Sequence, residues 1–254
     1  VKKADYTQIA PTYDEARPLP DINLEMCLKS IEKLIGAKKK VALLDLGCGT
    51  GRFDIPFTIQ SGYSVTAIDG SKEMIEKARQ KDTGSKVDWR VQDVANLQIS
   101  DGSFDVIFMS HLLHHLDNPF ALIQKCFHIL KSDGILINRY GALENVKNDA
   151  EHKFFPEALK IDELRSPTTK QVESWFYNAG FKRVISDVIN QPTFTSGEDR
   201  LYRIKLKHTS VLTLIPQRSF EEGLERLEKY VSENPFDPWL LNDFLTMTAG
   251  YKDK

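Results

Sequence analysis

A chain of 254 residues, 41% hydrophobic and 28% charged, is long enough for one large α/β domain. Its formal net charge of −2, with no basic stripe and no acidic tail, speaks against nucleic acid as a partner. Cys27, Cys48 and Cys126 form no CxxC pair and no metal-ligand spacing, no run reaches the roughly 20 apolar residues of a membrane span, and the charged start (Lys2, Lys3, Asp5) lacks the apolar stretch of a signal peptide, so a cytoplasmic protein with reduced thiols is expected.

Tyr6, Ile9, Ala10 and Tyr13 fall at helical spacing, interrupted by Pro11. After the Arg17-Pro18-Leu19-Pro20 break, Asp21 is placed to cap a helix that runs to about Ile35 and stops at Gly36. Lys38-Lys39-Lys40 reads as a solvated turn. An apolar run from Val41 then reads as a strand buried on both faces. It passes through Asp45 into Gly47-Cys48-Gly49-Thr50-Gly51, with three glycines at alternate positions. Glycine admits positive φ and puts no side chain between backbone and ligand. A helix from about Ile55 to Ser61 follows, so the turn is expected to aim free backbone N–H groups at a ligand above it. The dinucleotide fingerprint G-x-G-x-x-G is not matched, because the third glycine comes one residue early and Arg52 stands where glycine is needed.

Tyr63 to Asp69 reads as a second strand ending in an acid. A carboxylate at that tip can accept from both hydroxyls of a ribose, although Ser71-Lys72-Glu73-Met74 beside it also has helix-cap chemistry. Met74, Ile75 and Ala78 line one face of the next helix, and a third strand is expected around Val87 to Val91, before Gln92-Asp93-Val94. Phe104 to Ser110 is a buried strand, followed by His111-Leu112-Leu113-His114-His115-Leu116-Asp117. On a helix, His111 and His115 would share a face. No acid sits between them in a His-Glu-x-x-His arrangement and no third ligand is evident, so no metal is expected. Phe120 to Leu130 is an amphipathic helix, Lys131 to Gly134 its stop, and Ile135 to Tyr140 the fifth strand.

The second half is less regular. Asn145 to Leu164 is mixed helix broken at Phe154-Phe155-Pro156, Thr168 or Thr169 caps a helix that ends at Gly180, and Phe181 to Ile189 is a sixth strand. The closing strand is expected at Phe244 to Thr248. Between these two strands lie a helical Glu198 to Lys207, an apolar Val211 to Ile215 and an amphipathic helix from Phe220 to Val231. A loop of that length usually covers or shapes a site.

Leu44-Asp45-Leu46-Gly47-Cys48-Gly49-Thr50-Gly51 resembles the first motif of the class I S-adenosylmethionine-dependent methyltransferases. Phe104-Asp105-Val106-Ile107, Ser110 and His114-His115-Leu116-Asp117-Asn118-Pro119 resemble the fourth motif of the small-molecule members, including the type 11 domain of ubiquinone and menaquinone biosynthesis. Tyr13-Asp14-Glu15-Ala16-Arg17 is similar to a Tyr-Asp-x-x-Arg pattern of the same family. The resemblance is good over about residues 40–140 and holds elsewhere in outline.

It implies a Rossmann-like α/β fold, a seven-stranded mostly parallel sheet with helices on both faces. The chain would form one domain, with a helical lid over residues 1–36, a cofactor-binding core over 41–140 and an inserted helical substrate cap over 190–240. The implied cofactor is S-adenosyl-L-methionine, leaving as S-adenosyl-L-homocysteine. Tyr13, Arg17, Asp45, Gly47, Cys48, Gly49 and Gly51 would surround its methionine end, and Asp69 and Gly70 its ribose. Met74 would flank the adenine, Asp93 would accept from the exocyclic amine, Val94 would touch the ring, and Ser110 is a further cofactor-binding candidate. The implied reaction is in-line methyl transfer to a small-molecule acceptor, with Tyr13, His111 or His115 as candidate proton acceptors. An NAD(P)-dependent oxidoreductase, a non-catalytic S-adenosylmethionine-binding module and a nucleic-acid or protein methyltransferase are the competing readings. A monomer or homodimer without a membrane span is expected.

Overall fold

A computed structural model describes residues 10–38 and 40–253. The helical spacing at Tyr6 and Ile9, the charges at Lys2, Lys3 and Asp5, and Lys39 of the lysine turn lie outside the described residues.

The apolar runs form seven strands: β1 (Ala42–Leu46), β2 (Ser64–Asp69), β3 (Asp88–Val91), β4 (Phe104–Ser110), β5 (Leu130–Tyr140), β6 (Arg183–Pro192) and β7 (Asn242–Tyr251). They lie in one sheet in the order β3-β2-β1-β4-β5-β7-β6. β1 pairs in parallel with β2 and β4, as do β2 with β3 and β4 with β5, while β7 runs antiparallel to both β5 and β6. The mostly parallel seven-stranded sheet expected from the sequence is therefore present. The winding reverses between β1 and β4, where the carboxyl ends of such a sheet open a crevice. Because β6 runs alongside β5 in direction, Gln191 near its end reaches that same edge.

Successive side chains of a strand point to opposite faces, and both faces are covered. Leu43, Val65, Val106, Phe108 and Ile137 pack under the helices Asp21–Ile35 and Asp54–Ile59. Leu44, Leu46, Ile107, Met109 and Leu136 meet Leu122, Ile123 and Phe176 of the helices Pro119–Ile129 and Thr169–Ala179. Each such fully buried side chain contributes about 1.5–3 kcal/mol.

Three local expectations are corrected. Asp21 is the first helical residue rather than the cap; Pro20 precedes it, and the Pro20 carbonyl accepts from Asn23 and Leu24 to open the helix. Lys131 to Gly134 lie within β5, where Phe104 pairs with Leu130 but Val106 pairs with Ile135, so the expected stop is a bulge with Asp133 at φ 60°. His111 and His115 do not share a helical face. His111 turns left-handed (φ 55°) at the end of β4, and only the 3-10 turn Leu113–His115 follows.

A third apolar core lies over the carboxyl edge. It joins Ala150, Phe154, Phe155 and Ala158 to Ile204, Leu212, Phe220, Leu227 and Leu240. The helical layer over the crevice is thus built from two stretches, the helices Ala150–Phe154 and Pro156–Arg165 and the insertion between β6 and β7, not from the insertion alone.

Candidate active site

The glycine turn leaves β1 and folds back onto β2. Gly47 and Cys48 both donate their backbone N–H to the Ile68 carbonyl (2.8 and 3.1 Å), Gly49 donates to Asp69 Oδ2 (2.9 Å), and Gly51 donates to the Cys48 carbonyl (3.1 Å). The expectation of free N–H groups aimed at a ligand is corrected for Gly47, Cys48, Gly49 and Gly51. Parallel pairing of β1 with β2 sets the Ile68 carbonyl and the Asp69 carboxylate beneath the turn, and they take the donors first. Four donors that a bound pyrophosphate would need are already spent.

At Gly49 a Cβ would meet nothing within 4 Å, so the turn faces open space there. At Gly51 (φ +75°) a Cβ would stand 2.4 Å from Trp89 Cη2. Gly51→Ala is expected to cost about 2–4 kcal/mol, left-handed strain adding to overpacking. Urea unfolding measures it, and a loss below about 1 kcal/mol would mean that Trp89 yields freely.

Asp69 sits at the tip of β2 with Oδ1 accepting from Ser71 N (2.8 Å) and Oδ2 from Gly49 N. Burial raises its pKa against the pull of these two amide bonds. The cap of the next helix belongs to Ser71, whose Oγ accepts from Met74 N (3.2 Å). Met74 is buried in the core, and Gly70 has open space around it. Asp93 is exposed and caps the 3-10 turn Val94–Asn96, accepting from Ala95 N, while Val94 is buried beside it. Cys48 is a half-buried filler whose thiol burial pushes well up.

Beneath the turn, Asp45 Oδ1 and both carboxylate oxygens of Asp54 are buried without a donor among the other described residues. Burial pushes Asp45 well above the usual carboxylate range, with the neighbouring Asp54 adding to it, and burial lifts Asp54 to about 7. Two carboxylates that close share a proton. Since the folded pKa of Asp54 lies above its ordinary 3.8, the folded state binds that proton more tightly than the unfolded chain. Its contribution is present below that ordinary value and is lost as pH rises through about 7. Asp54→Asn should therefore melt progressively higher than wild type as pH goes from about 5 to 8; parallel melting curves across that range would refute the shared proton.

Residues 13–19 border one side of the site. Tyr13 lies between Arg17 and Arg52, whose guanidinium carbons stand 5.8 and 5.4 Å from its ring centre. Burial alone would raise the phenol, but Arg52 and Arg17 prevail and hold it below its ordinary value. Asp14 accepts from Thr50 Oγ1 and from Lys81 Nζ (2.9 Å), and Arg52 Nη1 donates to the Arg17 carbonyl (2.7 Å). Tyr202, from the insertion, donates to Glu15 and ties cap to lid.

Between lid, strand ends and cap lies a cavity of about 220 Å³. Arg52, His111, His114, Arg139 and Gln191 line it from the sheet side, and Arg17 from the N-terminal segment. Ser110, the last residue of β4, accepts from Arg139 Nη1 (3.1 Å). Burial, then Arg17, Arg139 and Arg52, hold the His111 imidazole well below its usual pKa, so it is neutral. His115 lines a neighbouring groove with Leu116, Pro119 and Trp175, which shares His114, Arg165 and Ser166 with the cavity. Among the described residues no group of three or more His, Cys, Asp or Glu is arranged to hold a metal ion.

Arg52, His114, Arg139 and Gln191 were not identified from the sequence. A charged residue inside the apolar run Ile135-Leu136-Ile137-Asn138-Arg139-Tyr140 was the signal that could have marked Arg139.

Residues 44–138 match the family described as "Methyltransferase domain". A ubiquinone biosynthesis O-methyltransferase of Xanthomonas euvesicatoria pv. vesicatoria (strain 85-10) is 36% identical over 121 residues, 46% of this chain and 48% of that protein. The matched segment thus spans about half of that relative. A putative methyltransferase from an antibiotic biosynthesis pathway of Anabaena variabilis superposes with a TM-score of 0.73 at 20% identity, covering 92% of this chain and 98% of that one. Phosphoethanolamine N-methyltransferase 2 of Haemonchus contortus, in complex with phosphomonomethylethanolamine and S-adenosylhomocysteine, gives 0.63 at 18% identity, covering 91% of this chain and 53% of that one. These two likenesses concern the fold.

Proposed function

We propose, because residues 44–138 match the methyltransferase-domain family, that this protein transfers a methyl group from S-adenosylmethionine to a small-molecule acceptor in the cavity beneath the cap. The observation that carries this reading is the bond from Gly49 N to Asp69 Oδ2, which puts the acidic tip of β2 against a turn open at Gly49. The residues fit the cofactor. Asp69 keeps lone pairs for two ribose hydroxyls, and the side of Gly49 that a Cβ would fill leaves room for the methionine chain. Tyr13 and Arg17 offer their polar groups to its carboxylate, with Asp45 below the turn. Asp93 and Val94 serve the adenine.

When bound, the cofactor supplies a methyl group already activated by a sulfonium. The protein's part is geometric. Lid and cap exclude water, and the cavity walls hold the acceptor in line, which is worth several kcal/mol. His111 is the wall residue suited to take a proton from a protonated nucleophile, because it is neutral and borders the cavity. Tyr13, held between two guanidiniums, is the second candidate. His115 lines the neighbouring groove and not the cavity itself, which makes it the weakest of the three candidates.

The oxidoreductase reading loses support because the amides of Gly47, Cys48, Gly49 and Gly51 are already bonded within the protein. The acceptors named for the relatives do not carry over directly, since the cap-forming stretches lie outside the matched family domain. Among the described residues no helix is long and apolar enough to cross a membrane. The three free cysteines support a reducing, cytoplasmic setting.

Calorimetric titration of the purified protein with S-adenosylmethionine, and separately with NADH, tests the reading. Saturable binding of the first alone is expected. Binding of NADH without S-adenosylmethionine would overturn it.

A further inference from the structure

Six arginines and four carboxylates line the cavity. The carboxylates are committed: Asp149 and Asp243 to Arg200, Glu151 to His208, and Asp162 to Arg165 and His152. Arg203 pairs with Asp199. Arg139 is different. It is 4% exposed, and its guanidinium donates to Ser110 Oγ (3.1 Å) and Gln191 Oε1 (2.6 Å) above the Phe53 ring. A hydroxyl, an amide and a phenyl face are all neutral. Among the described residues no carboxylate lies within ion-pair distance of Arg139, nor of Arg52 beside it. A buried charge is ordinarily paired with its opposite. Burial, Arg52 and Arg17 oppose the charge on Arg139 and outweigh the favourable influence of Cys27 and of Asp243, which stands beyond ion-pair distance.

The cofactor does not supply the missing charge. Its carboxylate is outweighed by an ammonium and a sulfonium, so the site becomes more positive when it is filled. One guanidinium can take that carboxylate, and the imbalance at Arg139 persists.

We propose that the acceptor is a small oxyanion, a molecule bearing a carboxylate or a phosphate, and that Arg139 holds this group; the proposal rests on the methyl-transfer reading above. Arg139 is suited to it in geometry. It stands next to last in β5, bonded to the end of β4 and to the end of β6, and its planar fork matches two oxygens at once. An anion there also offsets the positive field around His111, so proton transfer to that imidazole becomes easier with acceptor bound.

The test starts from wild-type protein saturated with S-adenosylhomocysteine. Inorganic phosphate and, separately, acetate are titrated against chloride at equal ionic strength, with melting temperature and heat of binding followed. A saturable response to one of the two is expected, and which one responds distinguishes phosphate from carboxylate. Arg139→Gln should weaken it at least tenfold while S-adenosylhomocysteine affinity stays within threefold. Gln191→Glu gives the guanidinium an internal counter-ion, so this variant should melt higher than wild type and lose the response. No saturable response beyond chloride in wild type, or a full response in Gln191→Glu, overturns the proposal even if Arg139→Gln does not fold. Failure of S-adenosylhomocysteine itself to bind wild type would instead overturn the methyl-transfer reading beneath it.

Discussion

Replacing Asp69 with alanine is expected to weaken S-adenosylmethionine binding at least about 100-fold while the protein stays folded. Two charge-assisted hydrogen bonds to ribose hydroxyls are worth about 1.5–3 kcal/mol each. The variant also frees the Gly49 amide that Asp69 anchors at 2.9 Å, so the turn loses its support as well as its ligand. Folding should be spared, because burial already disfavours the ionised carboxylate in the native state. Asp69→Asn keeps one acceptor and should lose about tenfold, roughly one of the two bonds. Calorimetry reads both values. Affinity within about threefold of wild type in Asp69→Ala would remove the ribose assignment, threefold being less than 1 kcal/mol.

Arg200→Met is expected to cost about 3–5 kcal/mol of stability, the range for breaking a buried ion pair on one side. Arg200 is 1% exposed, donates to Asp149 and to the Leu240 carbonyl (3.2 Å), lies 3.9 Å from Asp243 and covers the Phe194 ring at 4.6 Å. Methionine keeps the bulk of the chain and removes the charge. Burial lifts Asp149 to about 6 even with Arg200 opposing it. Without the arginine the acid rises further, and its penalty grows as pH increases. The loss measured by urea unfolding should therefore be larger near pH 8 than near pH 5.5, and Arg200→Met/Asp149→Asn should recover part of it. A cost below about 1 kcal/mol, independent of pH, would show that the pair is not structural.

The cofactor half was legible in the sequence because its signals are local. A strand, its glycine turn and the acid ending the next strand are contiguous in the chain, and the apolar periods of β1 to β5 set the sheet. The acceptor half was not. Arg52 follows the glycine turn after β1, while Arg139 lies in β5 and Gln191 in β6, and only the assembled sheet brings their polar groups to one cavity. The lid and turn gave a motif but not the arginine pair around Tyr13. The cap was read as the insertion alone, since nothing in the local pattern of Ala150 to Ala158 shows that those residues pack on Leu227 and Leu240. The free amides expected of the turn failed for a related reason: their partners, Ile68 and Asp69, come from the neighbouring strand.

The excursion between β6 and β7 begins and ends at paired positions, Pro192 opposite Asn242. The backbone leaves the sheet and rejoins it at the same rung of one ladder. The excursion can therefore be exchanged while the strands on either side of it keep their pairing. The exchange is constrained to happen in tandem: a new excursion must also suit Phe154, Phe155 and Ala158, which would otherwise be left as an uncovered oily surface.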